Sequence, residues 1–247
     1  MSDDDFHILI PARLDSTRLP RKALADLGGR PMVLRTLERA LLSGAASVTV
    51  ATDSEEIAGV VGKAGGAAIL TASSHRSGTD RLAEAVVQLE LDATAVVVNL
   101  QGDEPAMPAA CLRQVAALLT EDAAADMATL WQPLADEAQW RDPNVVKLVA
   151  DDDRRALYFS RAPIPWPRNG GWPAAEARRH VGLYAYRVSA LKAWRALPPS
   201  QLETLESLEQ LRALAAGWRI VVDRACAAIP VGIDTPEDLA RFRAMLS

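Results

Sequence analysis

A cluster of cations follows the first apolar segment of this acidic chain. Residues 6–10 have the composition of a buried β-strand, which we expect to end at Pro11. The cations that come next are Arg13, Arg18, Arg21 and Lys22. Open α/β sheets bind ligands beyond the carboxyl ends of their strands, so a basic loop in this place predicts a binding site for a nucleotide triphosphate. The alternative is a solvated basic loop that happens to follow a strand.

Two carboxylates stand where they could hold a metal ion beside such phosphates. Asp103 follows the most buried-looking strand, within N-L-Q-G-D-E-P, and therefore lies at the same edge of the sheet as the basic loop. Asp234 precedes Thr235, the predicted cap of the last helix. One or two carboxylates usually hold Mg²⁺ beside phosphates. The alternatives are a simple turn at Asp103 and, at Asp234, an acid favoured by the helix dipole.

Two further groups of polar residues could recognise the rest of a substrate. Residues 73–81 are rich in hydrogen-bonding groups and could contact a base, although such a segment is more often an ordinary loop and cap. The second group consists of Arg161, His180, Tyr184, Tyr186, Glu209 and Gln210. An arginine and a histidine facing one cleft would suit an acidic sugar, whereas a lone strand histidine is usually structural.

Composition limits the class of protein. A chain of 247 residues can bury a sizeable core, and hydrophobic and charged shares of 49% and 24% are ordinary for a globular protein. The net charge of −5 argues against general nucleic-acid binding. No apolar run is long enough to span a membrane, and residues 3–5 are acidic where a signal peptide would be basic. We therefore expect a cytoplasmic protein that binds neither nucleic acid nor membranes.

The two cysteines give a further indication of a reducing compartment. Cys111 and Cys226 are far apart in the sequence and lack the spacing of metal ligands. We therefore expect two small buried hydrophobic residues and no disulfide.

Strand and helix patterns alternate through the first half of the chain. The predicted strands cover residues 6–10, 47–51, 67–70 and 95–100. The predicted helices run from Pro31 to Gly44, from Asp53 or Ser54 to about Ala64, from a cap at Thr79 or Asp80, and from Ala109 to Leu119. This alternation favours a parallel sheet with right-handed crossovers, which brings the ends of consecutive strands to one edge.

The pattern changes after residue 121. Strands are predicted at 127–131, 145–149, 181–186 and 219–224, and helices from a capping box at Ser200 and Glu203 to about Gly217 and from Thr235 to about Ala244. Residues 159–179 contain four prolines and predict a long irregular excursion.

Taken together, these segments resemble the CMP-Kdo synthetases, the 3-deoxy-manno-octulosonate (Kdo) cytidylyltransferases. The matching stretches are P-A-R-L-D-S-T-R-L-P-R-K, G-G-R-P-M-V, V-A-T-D, H-R-S-G-T-D-R-L-A-E, V-N-L-Q-G-D-E-P, Y-F-S-R-A-P-I-P-W, H-V-G-L-Y-A-Y-R, L-E-S-L-E-Q-L-R and G-I-D-T-P-E-D-L. They come in family order and cover nearly the whole chain. Two departures are Arg21, where the family often has glycine, and the poorly matched residues 168–177.

The resemblance implies a fold and a division of labour along the chain. The implied fold is α/β and Rossmann-like, a nucleotidyltransferase with a mostly parallel mixed sheet, helices on both faces and a smaller dimerisation lobe. Within a single domain over residues 1–247, roughly 1–120 would bind CTP and roughly 121–225 would bind the sugar and a second subunit. Residues 226–247 would return to the metal site.

The implied reaction transfers CMP from CTP to the C2 hydroxyl of Kdo, giving CMP-Kdo and pyrophosphate for lipopolysaccharide biosynthesis, with Mg²⁺ as cofactor. The implied catalytic residues are Lys22, Arg18, Asp103 and Asp234, of which Asp103 and Asp234 would hold the metal. The implied CTP-binding residues are Arg13, Arg18, Lys22, Ala51, Asp53, Ser77 and Gln101. The implied sugar-binding residues are Gln101, Arg161, His180, Tyr184, Glu209 and Gln210.

The resemblance also implies a homodimer, with Trp131, Trp140 or Trp166 exposed at its interface. Two alternatives stay open. One is a cytidylyltransferase for another acidic sugar, such as a sialic acid or an amino-substituted Kdo. The other is a nucleotide-binding regulatory protein without turnover.

Overall fold

The computed structural model of the protein describes residues 6–14, 19–75 and 77–246. Arg18, one of the predicted phosphate-binding cations, therefore lies outside the described residues. Within them the strands are β1 (Phe6–Ala12), β2 (Ser47–Thr52), β3 (Ala67–Leu70), β4 (Val96–Asn99), β5 (Met127–Pro133), β6 (Lys147–Ala150), β7 (Ala156–Ser160), β8 (Arg178–Arg187) and β9 (Ile220–Arg224). The helices are α1 (Met32–Leu41), α2 (Glu55–Lys63), α3 (Gly78–Gln88), α4 (Ala109–Glu121), α5 (Glu137–Arg141), α6 (Val188–Trp194), α7 (Gln201–Glu206), α8 (Gln210–Ala215) and α9 (Pro236–Leu246), with a short 3-10 helix at Lys22–Leu24.

These strands form one mixed sheet with the order β3-β2-β1-β4-β8-β5-β9, and β6 and β7 pair beside β8. The first four strands run parallel to their neighbours, as the alternating pattern predicts. Strand β8 is antiparallel to both β4 and β5. Because β1 and β4 are parallel neighbours, their carboxyl ends meet at one edge of the sheet.

Apolar side chains alternate between the two faces of the sheet, and helices cover both. Ile8, Ile10 and Val98 pack into a cluster with side chains from α1, α2 and α4. Leu9 and Val97 point to the opposite face, into a cluster with side chains from α3, α6 and α8. This period of two is what a strand buried on both sides requires. The predicted layers are thus confirmed.

Several predicted boundaries are wrong, each for a local reason. The hydroxyl of Ser77 accepts the N–H of Asp80 at 3.1 Å, so α3 begins before the predicted caps. The single helix predicted after Ser200 is two helices, because Ser207 adopts a left-handed conformation with φ 51°. Strand β7 was not predicted and occupies the start of the supposed excursion.

The tryptophans and one cysteine also differ from expectation. Trp140 is fully buried, Trp131 is half-buried, and only Trp166 of the three is largely exposed, at 62%. The rings of Trp140 and Trp166 stack with their centroids 5.5 Å apart, so the exposed ring of Trp166 covers that of Trp140. Cys226 is exposed rather than buried. Among the described residues, no helix is both long and apolar enough to cross a membrane.

Candidate active site

A crevice of about 240 Å³ opens at the edge where β1 and β4 end. Its wall contains six of the predicted site residues, namely Arg13, Lys22, Ser77, Gln101, Asp103 and Asp234. They come from four separate segments of the chain. The topology alone brings the first and third of these segments together, because β1 and β4 are parallel neighbours.

Lys22 lies at the centre of the charged residues in this crevice. Its ammonium donates to Oδ2 of Asp103 at 2.6 Å and to Oδ1 of Asp234 at 2.7 Å. The lysine side chain is only 14% exposed, so this arrangement is screened less than a surface ion pair. One cation thus bridges two carboxylates that are far apart in the sequence.

The residue before Lys22 fixes how the loop enters the crevice. Arg21 has φ 55°, a left-handed conformation that favours glycine. This explains why glycine suits the position in the family that the chain resembles. The side chain of Arg21 leaves the crevice and pairs with Glu56 on α2.

Backbone contacts hold the two aspartates in place. A Cβ on Gly102 would lie 3.0 Å from the carbonyl oxygen of Pro11, so a larger residue would push the turn and β1 apart by a few tenths of an ångström. The N–H of Ile233 donates to the carbonyl of Asp103 at 3.0 Å and joins the C-terminal segment to that turn. Asp238 accepts the N–H groups of Asp234 and Thr235 at 3.1 and 3.0 Å at the start of α9.

The carboxylate pair fits a divalent cation. Both side chains approach one ammonium, so their oxygens converge on a single point, and hard oxygen donors are what Mg²⁺ prefers. Within the described part of the chain, no group of three or more metal-ligating side chains occurs. An ion held by Asp103 and Asp234 would therefore take its other ligands from substrate phosphates and water.

Glu104 is an ionisable residue next to Asp103 that was not among the site residues predicted from the sequence. Burial, followed by the neighbouring charges of Asp103 and Asp234, raises the pKa of its carboxyl to about 8. Its Oε2 is buried without a hydrogen-bond partner among the described residues. The carboxyl is therefore mostly protonated at neutral pH, which limits the negative charge around Lys22. Its place in the Q-G-D-E-P motif was the available signal.

The predicted base-binding residues divide into two groups. Ser77 and Gln101 line the crevice, and Nε2 of Gln101 donates to Asn99 at 3.1 Å. Ala51 is fully buried in β2 and Asp53 is not among the lining residues. Asp53 instead accepts from Arg81 at 2.7 Å.

Arg81 itself lines the crevice, although it was not among the predicted site residues. Its side chain is 4% exposed and also donates to the hydroxyl of Thr71. Asp53 can thus act on the crevice through Arg81. The motif H-R-S-G-T-D-R contains this arginine, but helical spacing alone does not distinguish it from a surface residue.

Glu209 and Gln210 follow the chain reversal at Ser207 and reach towards the start of α3. Oε2 of Glu209 accepts from the hydroxyl of Thr79 at 2.7 Å. Oε1 of Glu209 and Nε2 of Gln210 are buried and have no hydrogen-bond partner in the described part of the chain. Burial raises the pKa of Glu209. Buried polar atoms are nearly always satisfied, so these two are open to further hydrogen bonds with water or a ligand.

His180 and Tyr184 belong to an aromatic row on β8. The ring of His180 lies 5.0 Å from that of Phe159 and 5.3 Å from that of Tyr184. Tyr184 is paired in register with Asn99 on β4, which connects this row to the crevice through Gln101. Nε2 of His180 lies 3.1 Å from the hydroxyl of Thr129.

The charge of His180 is set by its surroundings. Burial lowers its pKa to about 3, and the adjacent cation Arg179 acts in the same direction. With no ligand bound, His180 is therefore a neutral hydrogen-bonding group at physiological pH.

The depressed pKa predicts a pH dependence of stability. As pH falls through the ordinary histidine pKa of 6.5, the unfolded chain gains a proton that folded His180 does not, so folding weakens. Between pH 7 and 5 the wild type should lose about 1–2 kcal/mol more unfolding free energy than His180→Asn. Urea unfolding at several pH values measures this difference. Parallel curves for the two proteins would contradict the assignment.

Arg161 has a different setting from the other predicted sugar-binding residues. Its guanidinium donates to the carbonyls of Glu206 at 2.6 Å and Pro143 at 2.8 Å. The buried Lys147 in turn donates to the carbonyl of Arg161 at 2.7 Å. These bonds fasten the turn that precedes Glu209, so Arg161 holds this segment in position.

Comparisons with known proteins agree with this geometry. A family model described as cytidylyltransferase matches residues 7–220, so the chain belongs to this class of protein. A 3-deoxy-manno-octulosonate cytidylyltransferase of Leptothrix cholodnii is 50% identical over 244 residues, covering 96% of this chain and 90% of the relative. One of Polynucleobacter necessarius subsp. necessarius is 50% identical over 247 residues, covering 98% and 96%.

A solved structure leads to the same family. It is a CMP:2-keto-3-deoxy-manno-octonic acid synthetase complexed with CTP, 42% identical, with a TM-score of 0.91 and 98% of each chain covered. The chain belongs to the 3-deoxy-manno-octulosonate cytidylyltransferase family. The resemblance noted in the sequence and the implied fold class are thereby confirmed.

Proposed function

We propose that this protein transfers CMP from CTP to the anomeric C2 hydroxyl of Kdo, releasing pyrophosphate. The observation that carries the proposal is the bridging of Asp103 and Asp234 by Lys22 in a crevice at the edge of the sheet. The names of the relatives, and the CTP bound in the solved CMP-Kdo synthetase, support both substrates.

Positioning and charge account for the catalysis we propose. Transfer of this kind needs little covalent chemistry from the protein, because the attacking and leaving oxygens must be aligned and the growing charge stabilised. Arg13 and Lys22 line the crevice and would bind the triphosphate, and Lys22 would offset charge that develops on the departing pyrophosphate. Arg18, which lies outside the described residues, is proposed to assist them.

Mg²⁺ is proposed as the cofactor, with Asp103 and Asp234 as its protein ligands. When bound, it would supply a cation that orients the sugar hydroxyl and lowers its pKa. No side chain of the protein then needs to act as a general base. Glu104, being mostly protonated at neutral pH, adds no full charge to compete with these two aspartates.

We propose that one end of the crevice selects the nucleotide and the other end selects the sugar. Ser77 and Gln101 would contact the cytidine, with Ala51 shaping the β2 side and Asp53 acting through Arg81. Glu209 and Gln210 would supply hydrogen bonds to the sugar hydroxyls. His180 and Tyr184 would pack against its ring, and Arg161 would set the position of this wall.

The function is tested by measuring pyrophosphate release with CTP, UTP, ATP and GTP against a panel of acidic sugars. We expect turnover only with CTP, and with Kdo far above a sialic acid or amino-substituted Kdo. Equal turnover with another acidic sugar would favour that substrate instead. CTP binding without any pyrophosphate release would favour a regulatory nucleotide-binding protein.

Gln210→Ala tests the sugar end. Because buried Nε2 of Gln210 has no partner among the described residues, its loss should remove a bond that only the sugar supplies. We expect the KM for Kdo to rise about 10-fold while the KM for CTP changes little. Gln201→Ala, at an exposed position on α7, is the matched control. An equal rise in both KM values would show that our division of the crevice is wrong.

We also propose that the protein is a homodimer that meets through residues of the 121–225 segment. Leu157, Trp166 and Leu205 of this segment are 57%, 62% and 81% exposed, which is costly for large apolar side chains in a monomer. Light scattering after size-exclusion chromatography should give twice the chain mass, and Leu205→Asp should shift the protein towards monomer. A monomeric wild type at micromolar concentration would contradict this.

A further inference from the structure

The fold brings the two cysteines together, although 115 positions separate them in the sequence. Cys111 lies on the inner face of α4, and Cys226 follows directly after β9. Their sulfur atoms are 3.8 Å apart, and both thiols are free. Cys111 is fully buried whereas Cys226 is exposed. One thiol can therefore meet small molecules in solution while the other is shielded behind it.

Hydrogen bonds to the backbone before and after Cys226 hold it close to Cys111. One helical turn after Cys111, the amide of Gln114 donates to the carbonyl of Arg224 at 2.7 Å. The same amide accepts the backbone N–H of Cys226 at 2.9 Å. Nε2 of Gln132 donates to the carbonyl of Ala227 at 3.3 Å. The backbone around Cys226 is thus held against α4 by Gln114 and against β5 by Gln132.

We propose that Cys111 and Cys226 form a redox-sensitive pair that closes to a reversible disulfide when the protein meets a peroxide. To form the bond, the sulfur atoms need to approach from 3.8 Å to about 2.05 Å. Neither cysteine lines the crevice, so the pair is separate from the residues that we assign to CMP transfer.

The chemistry has a defined order. The sulfur of Cys226 attacks one peroxide oxygen, the O–O bond breaks, and a sulfenic acid forms with loss of one water molecule. The sulfur of Cys111 then attacks the sulfenic sulfur, the S–O bond breaks, and a second water leaves with the remaining thiol proton. Two thiols lose two electrons in total, and hydrogen peroxide is reduced to two waters. Burial raises the pKa of Cys111 to about 11, which leaves Cys226 as the first nucleophile.

The disulfide would fasten a segment that serves the active site. Downstream of Cys226, Arg179 donates to the carbonyl of Ile229 at 3.3 Å, and the N–H of Ile233 donates to Asp103 at 3.0 Å. Asp234 follows at once. A covalent link between α4 and the start of this segment limits how far residues 227–234 can move away from the crevice.

Treatment of the full-length protein with hydrogen peroxide tests the proposal. We expect the intact mass to fall by that of two hydrogen atoms, peptide mapping to find Cys111 linked to Cys226, and dithiothreitol to reverse both changes. The linked form should show a Tm several degrees higher, because the bond closes a loop of more than 100 residues. Its amides at 227–233 should exchange hydrogen more slowly.

Three variants separate the outcomes. Cys226→Ser should form no link, and Cys111→Ser should stop at a sulfenic acid on Cys226 that dimedone traps. Gln114→Leu, which keeps both thiols but removes the two backbone contacts, should form the link several-fold more slowly. The proposal would be overturned if the wild type showed no linked peptide and Cys226 were over-oxidised while Cys111 remained a free thiol. An intermolecular disulfide as the main product would also overturn it.

Discussion

Asp103→Asn or Asp234→Asn should lower turnover about 100-fold or more while CTP still binds. Each substitution keeps the shape of the side chain and removes a charge that contacts Lys22 at 2.6 or 2.7 Å. Removing one preorganised electrostatic group from an enclosed site typically costs two to three orders of magnitude in rate. The effect should fall on kcat, because the triphosphate is proposed to be bound by cations rather than by these carboxylates.

The dependence on Mg²⁺ distinguishes two explanations of such a loss. If the aspartates hold the metal, each variant should require a several-fold higher Mg²⁺ concentration for half-maximal rate. If they only orient Lys22, the rate should fall without any change in that concentration. Asp153→Asn, at an exposed turn remote from the crevice, is the matched control and should retain full activity. Near-normal turnover by either variant at saturating Mg²⁺ would exclude the two-aspartate site.

The first half of the fold could be predicted because its signals are local. Valines at 96–98 are buried on both faces, and Ser54 caps α2 by accepting the N–H of Ile57 at 3.3 Å. Parallel neighbours then place Asp103 beside the basic loop without any knowledge of distant contacts. Local patterns therefore predict the edge of the sheet at which we propose that CMP transfer occurs.

The convergence of Asp234 on Lys22 could not be predicted from local pattern. These residues are 212 positions apart, and the contact depends on Ile233 bonding to Asp103. No periodicity in the sequence encodes that bond. The sequence offered Asp234 either as a second metal-holding carboxylate or as an acid favoured by the helix dipole, and its contact with Lys22 now shows that it reaches the crevice.

The sugar side was hardest to predict because its residues depend on backbone breaks. A capping box at Ser200 predicts a helix correctly, but nothing local shows that Ser207 will reverse the chain after two turns. That reversal places Glu209 against Thr79. The bonds of Arg161 to backbone carbonyls were missed for a related reason, since an arginine in a motif is usually assigned to a ligand before its structural contacts are known.

Lys22→Met should have the largest effect of all, lowering kcat/KM by about 1,000-fold or more. Methionine has a similar length and fits a side chain that is only 14% exposed, but it brings no charge to the triphosphate or to the leaving pyrophosphate. Lys22→Arg should recover only part of the rate, because the planar guanidinium cannot replace a compact ammonium between two carboxylates. Lys63→Met, at the exposed end of α2, is the control for a lost positive charge.

Metal binding in the absence of CTP gives this prediction an independent readout. In the wild type, the ammonium of Lys22 occupies the point on which Asp103 and Asp234 converge, and therefore competes with a divalent cation. Without it, two adjacent carboxylates repel each other and attract a metal more strongly. Lys22→Met should thus bind Mn²⁺ several-fold more tightly than the wild type while it turns over far more slowly, as calorimetry and a pyrophosphate assay will show. Unchanged Mn²⁺ affinity would mean that the two carboxylates do not share a metal site with Lys22. If Lys22→Met were about as active as Lys63→Met, Lys22 would have no role in the mechanism.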